Sequence, residues 1–588
     1  MFKNFALNNI TLTDSLFSHR RNLVKKYIVD FDIDRLMHNF RVNAGLPSDA
    51  KPLGGWEAPS CKLRGHFTGH FLSACAKIAY ADNDRKLYEK VGEIVSVMKS
   101  CAKSDGYLSA FDESELDVLE WEENRNVWAP YYTLHKIMQG LLDNYLLLKN
   151  EDALTLATNL GLYIHSRFEK LSFWKIDGIL RCTKVNPVNE YGGIGDSLYT
   201  LYEITKDSRI LSAAKLFDRE YFIGNLKNGK DILCNLHANT HLPMILAAMH
   251  RYDIFQEEEY RTAAVNFYTY LSERTLANGN SSSKAESYIK GGTSEKSEHW
   301  GVAGKLDDAL TGGESESCCA HNTEKILEYL VKWDNSVKYL NHMEILKYNA
   351  VLNSASQVSG LSQYHQPLGA NAVKKFSSYD DDFWCCTGSG IEAVSEIQKN
   401  IWFHNDNDNA ILLNAYISSE LNWESLGVTI RQTSNYPNEL STTLIISTDK
   451  PVEFKLLLKA DTVRSLTLNG AEVNLHSNGG FIVLQWLFNN NDEIHININT
   501  RLHLVPLKGS EHLSAVMFGN ILLAQIDGLK SLQGTITNDN INQKLVRNNA
   551  KELEFVFAES PEHSTRFIPL YRVENESYSV YLPLDNTN

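Results

Sequence analysis

Two pairs of adjacent cysteines carry most of the chemical information in this 588-residue chain. Cys318 and Cys319 follow Glu316 closely, and Cys385 and Cys386 form the second pair. Three thiolates and one carboxylate can complete a tetrahedral zinc site. The spacing lacks the CxxC pairs of a zinc finger, and buried small side chains or a strained vicinal disulfide would explain either pair alone. From spacing, a metal site and these simpler explanations stay equally open.

The second pair sets a geometric condition on any shared metal. Neighbouring side chains point to opposite faces of a regular strand, so Cys385 and Cys386 can face one ion only at a bend. The stretch Gly388–Gly390 that follows contains two glycines, which supply conformational freedom. We therefore expect a bend in the chain at this point.

An acidic loop upstream of the first pair offers a general acid. It reads GGTSEKSEHWG, and it places Glu298 before His299 and Trp300. A carboxyl that is buried among aromatic neighbours gains a raised pKa and can protonate a leaving group. Glu295 fits this description equally well, and a solvated charged loop is the simpler explanation for both.

Several histidines lie where predicted helices begin. His66 and His70 stand four residues apart in GHFTGH, a spacing that can hold a metal, and His237 and His241 open the HANTH segment. The absence of an HExxH pattern argues against a metalloprotease. His135 and several aromatic residues can join them around a central cleft that suits sugar rings, although each alone is explained as a core residue. These aromatic residues are Trp56, Trp128, Tyr131 and Tyr191.

The elements that must position these residues are helical up to about residue 405. Pairs of amphipathic segments are joined by short polar links near Asp82, Glu151, Asp207 and Glu257. Serial helical hairpins predict a closed toroid of paired helices, with an open solenoid as the alternative.

Beyond this point the hydrophobic period changes to two, as in the alternation of Ile494, Ile496 and Ile498 with polar residues. Asn469-Gly470 predicts a hairpin turn. We therefore predict a helical domain over 1–405, a β-sandwich over 406–511 and a second β-rich segment over 512–588.

Composition excludes several classes of protein. Fifty-seven basic residues against 72 acidic ones give a net charge of −15, which argues against a nucleic-acid partner. No apolar run is long enough to span a membrane, and the N-terminus lacks the apolar region of a secretory signal, which favours a cytoplasmic protein. Nine scattered cysteines do not form a disulfide framework.

The motifs together resemble the bacterial β-L-arabinofuranosidase family of glycoside hydrolases. The matching stretches appear in the family's order from about residue 30 to 400. They are AGLPSDAKPLGGWE, LRGHFTGHFLSACA, WAPYYTLHKIMQGLLDNY, EYGGIGDSLYTLYEIT, LHANTHLPMI, SEHW, ESCCAHN and WCCTGSGIE. The combination of ESC with WCCTGSGIE is the most specific part of this resemblance.

The resemblance implies an (α/α)6 barrel, β-sandwich appendages and an exo-acting retaining glycosidase. It implies a zinc ion held by Glu316, Cys318, Cys385 and Cys386, with Cys385 also the nucleophile and Glu298 the acid/base. The expected substrate is a small oligosaccharide or glycoside, recognised by residues of the cleft. The predicted substrate-binding residues are His66, Trp128, His135, Tyr191 and His237.

Alternatives to this function stay open at the level of sequence. The same mechanism can serve another furanoside or an unusual pectic sugar. A carbohydrate-binding protein with structural zinc, or a thiol redox protein cycling Cys385 and Cys386, would also use these motifs. Cys319 departs from the family pattern. It can be a spare metal ligand or a thiol that is liable to oxidation. The oligomeric state is undetermined, and a homodimer is compatible with the sequence.

Overall fold

The computed structural model describes residues 1–122, 126–181, 190–284, 297–526, 536–558 and 565–583. Glu295 and Cys182 lie outside these described residues. The helices are α1 (Leu16–Asp30), α2 (Ile33–Asn43), α3 (His66–Asp82), α4 (Arg85–Cys101), α5 (Ser114–Trp121), α6 (Pro130–Leu148), α7 (Glu151–Phe168), α8 (Phe173–Leu180), α9 (Ile194–Thr205), α10 (Ser208–Leu216), α11 (Glu220–Lys227), α12 (Ala238–Phe255), α13 (Glu258–Ser272), α14 (Ser317–Trp333), α15 (Val337–Leu346), α16 (Cys385–Ser395) and α17 (Ile541–Lys544). No helix in these ranges is both long and apolar enough to cross a bilayer.

The four predicted links between helices are confirmed. They join α3 to α4, α6 to α7, α9 to α10, and α12 to α13. In the first link Asn83 has a positive φ of 50°, which ends α3, and the Asp84 side chain accepts hydrogen bonds from two backbone N–H groups of α4. A left-handed residue followed by an N-cap thus turns the chain back on itself within two residues.

Six helices form an inner ring. Helices α3, α6, α9, α12, α14 and α16 contact one another in this order, and α16 returns to contact α3. This closure confirms the (α/α)6 barrel and excludes the open solenoid. Inner helices are buried on nearly every side, as α3 shows from His66 to Ala79, whereas outer helix α4 buries one stripe. Burial on nearly every side thus distinguishes an inner helix such as α3 from an outer helix that buries a single stripe.

Glycines set the distance between two of the inner helices, α3 and α6. A Cβ atom on Gly69 of α3 would lie 2.0 Å from the Lys136 carbonyl oxygen, and one on Gly140 of α6 would lie 2.5 Å from the Gly69 carbonyl oxygen. The two backbones therefore meet directly. This close contact brings the first turns of α3 and α6 to the same end of the barrel.

An ion pair between a buried histidine and two partly exposed carboxylates links two inner helices further along the barrel. His250 of α12 lies 2.8 Å from Asp196 of α9 through Nδ1 and 2.8 Å from Glu203 through Nε2. Burial lowers the pKa of His250, but hydrogen bonds to Asp196 and Glu203 outweigh it and raise the pKa to about 9. The imidazolium form therefore stabilises this contact at neutral pH.

The remainder of the described chain is built from three larger sheets and one short hairpin. Its strands are β1 (Lys3–Asn4), β2 (Ile10–Leu12), β3 (Ser283–Lys284), β4 (Ser297–His299), β5 (Trp402–Asn405), β6 (Ala410–Leu413), β7 (Ser419–Trp423), β8 (Val428–Ser434), β9 (Ser441–Thr448), β10 (Val452–Lys459), β11 (Val463–Leu468), β12 (Ala471–Glu472), β13 (Ser477–Asn478), β14 (Phe481–Phe488), β15 (Glu493–Ile498), β16 (Leu502–Pro506), β17 (Leu513–Phe518), β18 (Ile521–Ile526), β19 (Leu545–Arg547), β20 (Phe555–Phe557), β21 (Phe567–Pro569), β22 (Tyr578–Ser579) and β23 (Tyr581–Pro583).

The first two sheets form a sandwich. Their orders are β1-β5-β6-β10-β14-β13 and β12-β11-β15-β9-β8-β7-β2, and the third sheet has the path β16-β17-β18-β21-β20-β19 with β22 beside β18 and β23 beside β17. Phe454 of the first sheet packs edge-on against Trp423 of the second at 5.7 Å between ring centroids. Apolar side chains of both sheets share one core.

The domain limits differ from the prediction in three places. Strands β1 and β2, at the start of the chain, complete the edges of the sandwich. Strand β5 begins at Trp402, inside the predicted helical unit, and β16 begins at Leu502 but pairs with the third sheet. Strands of two or three residues are too short to show a period, which explains why the N-terminal pair escaped prediction.

Candidate active site

A cluster of three thiols and one carboxyl lies where two inner helices begin. Glu316 is the N-cap of α14, Cys318 lies in its first turn, and Cys385 and Cys386 open α16. The four ligand atoms all lie within 4.8 Å of one another. Glu316 Oε1 is 3.8 Å from the Cys385 sulfur and 3.7 Å from the Cys386 sulfur. The structure therefore brings one cysteine of the first pair and both cysteines of the second pair to one point.

The start of a helix lets adjacent cysteines face the same point. Trp384 is extended at φ −61° and ψ 164°, and the chain then coils at Cys385. The bend predicted at Cys385 and Cys386 is therefore the start of a helix. The glycines have a different function from the one predicted: a Cβ on Gly388 would lie 2.3 Å from His70 Cδ2, and one on Gly390 would lie 1.8 Å from the Ser362 hydroxyl. They permit close packing of α16.

The cluster has the dimensions and chemistry of a metal site. The Cys318 and Cys386 sulfurs are 3.2 Å apart and the Cys385 and Cys386 sulfurs 3.9 Å apart, so neither pair is a disulfide. Tetrahedral zinc with bonds of about 2.3 Å to sulfur requires separations of about 3.8 Å. Burial raises the pKa of Glu316 and of Cys386 well above the usual values, and neighbouring Cys318 raises both further. A bound cation would relieve this repulsion.

Glu298 lies beside this cluster, close to Glu316. Backbone pairing of His299 with His237 places it there, and its φ of +66° is unusual for a residue with a side chain. Its carboxylate contacts His237 Nε2 at 3.3 Å and His365 Nε2 at 3.2 Å. The ligand atoms of Glu298, His237 and Glu316 lie within 4.8 Å of one another. The two clusters therefore share one site.

The pKa of Glu298 differs from the expectation. Burial raises it, but hydrogen bonds from His237 and His365 outweigh burial and hold the pKa below the usual value. Burial lowers the pKa of His237, yet Glu190 and Glu298 reverse the effect and raise it. The proton of the Glu298–His237 pair therefore resides mainly on the imidazole in the free protein.

Aromatic side chains form a wall beside the thiols. Trp56 and Trp128 meet edge-on at 4.8 Å between ring centroids, and Trp56 contacts Tyr364 at 5.9 Å. These three half-buried residues pack against the cysteine cluster, as does the buried Tyr132. Half-buried aromatic faces beside polar groups suit the apolar face of a sugar ring.

The residues predicted to bind substrate occupy different surroundings. Trp128 lies in the aromatic wall and His237 beside Glu298. His66 is buried, with Nδ1 2.9 Å from Glu57 Oε1, and His135 accepts a hydrogen bond at Nδ1 from the Gly193 N–H at 3.1 Å.

Three other residues belong to the scaffold. Tyr191 is only 2% exposed and packs against Phe217 in the barrel core, which corrects its placement in the cleft. Tyr131 is buried in the same core. His70 is held by Glu392 at 2.5 Å, and within the described ranges it and His66 do not share a group of candidate metal ligands.

Two residues that contact the Glu298–His237 pair were not predicted from the sequence. His365 pairs through its backbone with Glu316, which places its ring against Glu298. Glu190 lies 3.9 Å from His237 Nδ1. Glu190 stands in EYGG, at the start of one of the stretches that resemble the family, so its position in that stretch was a usable signal. His365 has no such signal, because only the fold brings it to the site.

The closed ring of helical hairpins thus holds a carboxylate near a buried cluster of thiols, an arrangement that can supply an acid/base and a nucleophile. The sequence matches the family model of the β-L-arabinofuranosidase GH127 catalytic domain over residues 9–399 and that of the GH127 middle domain over 410–500. A comparison with curated proteins finds no match.

Solved structures show the same fold. A GH127 β-L-arabinofuranosidase from Geobacillus stearothermophilus T6 is 15% identical, with a TM-score of 0.72 over 98% of this chain and 100% of the other. A GH127 β-arabinofuranosidase is 14% identical, with a TM-score of 0.74 over 99% of this chain and 98% of the other. The chain belongs to the GH127 β-L-arabinofuranosidase family and is a glycoside hydrolase.

Proposed function

We propose that this enzyme is an exo-acting, retaining β-L-arabinofuranosidase with a zinc-bound cysteine nucleophile. The observation that carries the proposal is the placement of Glu298, with its two histidine partners, beside the thiol cluster. Among the three cysteines of that cluster, Cys385 is the most exposed residue, at 7% against 3% for Cys318 and 0% for Cys386. This order supports Cys385 as the nucleophile.

The donor set favours zinc. Three sulfurs and one carboxylate oxygen are ligands that Zn²⁺ prefers, and Ca²⁺ or Mg²⁺ would require more oxygen ligands. Glu316, Cys318, Cys385 and Cys386 would hold the ion. When bound, zinc would keep the sulfurs ionised and stabilise the thiolate both as nucleophile and as leaving group.

The chain's own residues account for each step. The Cys385 sulfur attacks the anomeric carbon while the proton that His237 holds passes through Glu298 to the glycosidic oxygen, so a C–S bond forms as the C–O bond breaks. Water then attacks the same carbon, its proton returns through Glu298 to His237, and the C–S bond breaks to regenerate the thiolate. Two inversions give net retention. His237 supports both halves because it holds a proton beside Glu298 Oε2.

The sugar is assigned from the family and from the relatives with the same fold. The aromatic wall of Trp56, Trp128 and Tyr364 provides a face for the ring, and another furanoside is the competing substrate. A binding protein with structural zinc would have no need of a carboxylate with two histidine partners beside the metal ligands. The redox alternative would require Cys385 and Cys386 to form a disulfide from their present separation of 3.9 Å.

A panel of aryl glycofuranosides tests the proposal. Wild type should cleave the β-L-arabinofuranoside, carry about one zinc per chain, and release the sugar with its configuration retained. Cys385→Ala should lose turnover. Cys75→Ala is the matched control, because it truncates an equally buried cysteine of α3. If the zinc-loaded protein cleaves only another furanoside, the mechanism stands and the assigned sugar is wrong. If the protein contains no zinc, the mechanism is refuted.

A further inference from the structure

Cys319 has a contact that the proposed reaction does not use. It lies beside Cys318 on α14, and its thiol donates a hydrogen bond to Glu316 Oε2 at 3.3 Å. Both side chains are buried, at 0% exposure for Cys319 and 1% for Glu316. The Cys319 sulfur is not part of the group of four ligand atoms that lie within 4.8 Å of one another. Adjacent helical residues point about 100° apart, which explains the separate positions of Cys318 and Cys319.

The two oxygens of Glu316 face different partners. Oε1 points to the sulfurs of Cys385 and Cys386, whereas Oε2 receives the Cys319 thiol. Neighbouring residues hold the Glu316 backbone: the Ser282 hydroxyl accepts from its N–H at 2.7 Å, and Asn280 donates to its carbonyl oxygen at 2.7 Å. Among the described residues, Cys319 donates the hydrogen bond to Oε2.

We propose that Cys319 is a positioning residue for the metal site, which fixes Glu316 as a ligand through one oxygen only. This inference rests on the proposed zinc site. A hydrogen bond to the outer oxygen of a ligating carboxylate fixes its rotation and is an outer contact of the kind that controls metal affinity. Without it, Oε2 is buried with no partner, or the carboxylate rotates and changes its angle to the three sulfurs.

Zinc affinity measured by competition with a chromophoric chelator tests this role. Cys319→Ala should weaken zinc binding about 10- to 100-fold. Cys319→Ser retains a donor at the same place and should bind zinc within a few-fold of wild type. Cys75→Ala, which removes a buried thiol away from the site, should leave the affinity unchanged. Melting temperatures of the zinc-free proteins would show whether any variant has simply lost its fold.

Cobalt substitution separates a positioning residue from a ligand. The intensity of sulfur-to-cobalt charge transfer counts the coordinating thiolates, and Cys319→Ala should keep the same count of three as wild type. Four thiolates in wild type, or a loss of one in the variant, would make Cys319 a ligand and overturn the inference. Wild-type affinity in Cys319→Ala would also overturn it. Wild type that binds neither ion would refute the zinc site itself.

Discussion

Replacing Glu298 by Gln keeps the shape of the side chain but removes its ability to carry a proton. In the structure both carboxylate oxygens are engaged, by His237 at 3.3 Å and by His365 at 3.2 Å, so the amide occupies the same position. A positioned acid/base contributes roughly 10²- to 10⁴-fold, or about 3–5 kcal/mol of barrier. Substrates whose leaving group is an alcohol should lose this whole rate factor.

The leaving group separates the two halves of the reaction. For an arabinofuranosyl disaccharide, we expect kcat/KM of Glu298→Gln to fall by the full factor, since departure of the sugar alcohol needs a proton. For a nitrophenyl glycoside, the nitrophenolate leaves without a proton. Its kcat/KM should therefore fall by less than about tenfold, because kcat/KM reports only the step in which the leaving group departs. Its kcat should still fall, because water attack needs the base, and azide should restore it.

Glu295→Gln is the matched control, since the sequence left the two glutamates equally plausible. It should retain wild-type kinetics on both substrates. The assignment of Glu298 would be refuted if Glu298→Gln hydrolysed the disaccharide at the wild-type rate with zinc retained. An equal loss on both substrates, without rescue by azide, would also refute it and would indicate a role in metal binding.

Three further predictions concern the metal, the packing of α16 and the buried imidazolium. Removal of metal by a chelator should abolish hydrolysis, and zinc should restore it, whereas full activity of metal-free protein would exclude a role for the ion. Gly388→Ala should lower stability by about 1–3 kcal/mol and weaken zinc binding, because its Cβ would lie 2.3 Å from His70, while Gly92→Ala, which has open space, should do neither.

The melting-temperature gap between wild type and His250→Gln should be largest below about pH 6.5, where the raised pKa contributes its full stability, and should shrink through pH 9; a gap independent of pH would contradict the ion pair.

The helical hairpins were predictable because their information is local. A polar link with a residue that tolerates positive φ and an N-cap, as at Asn83 and Asp84, turns a helix back whatever surrounds it. The alternation of Ile494, Ile496 and Ile498 likewise predicts strand β15, and all three side chains are buried. The NG turn at Asn469-Gly470 is confirmed, with φ of 50° and 79°.

The site was predictable only in part. Local spacing left a metal cluster and buried thiols equally open, and the family resemblance, rather than the chemistry of the motifs, chose between them. The pKa of Glu298 was expected to be raised, and this expectation was wrong because it considered only the residues next to Glu298 in the sequence. His365 comes from a segment far along the chain, and its hydrogen bond to Glu298, with that of His237, reverses the effect of burial.

The sequence by itself determined the order of helices and strands, the turns between them and the residue types available for catalysis, because each of these depends on a few neighbouring residues. Only the tertiary structure decided which residues meet. Packing of α16 against α14 brings Glu316, Cys318, Cys385 and Cys386 together, and packing against Phe217 places Tyr191 in the core. Distances between side chains, and the pKa values that follow from them, depend on how remote elements pack, and no local pattern encodes that packing.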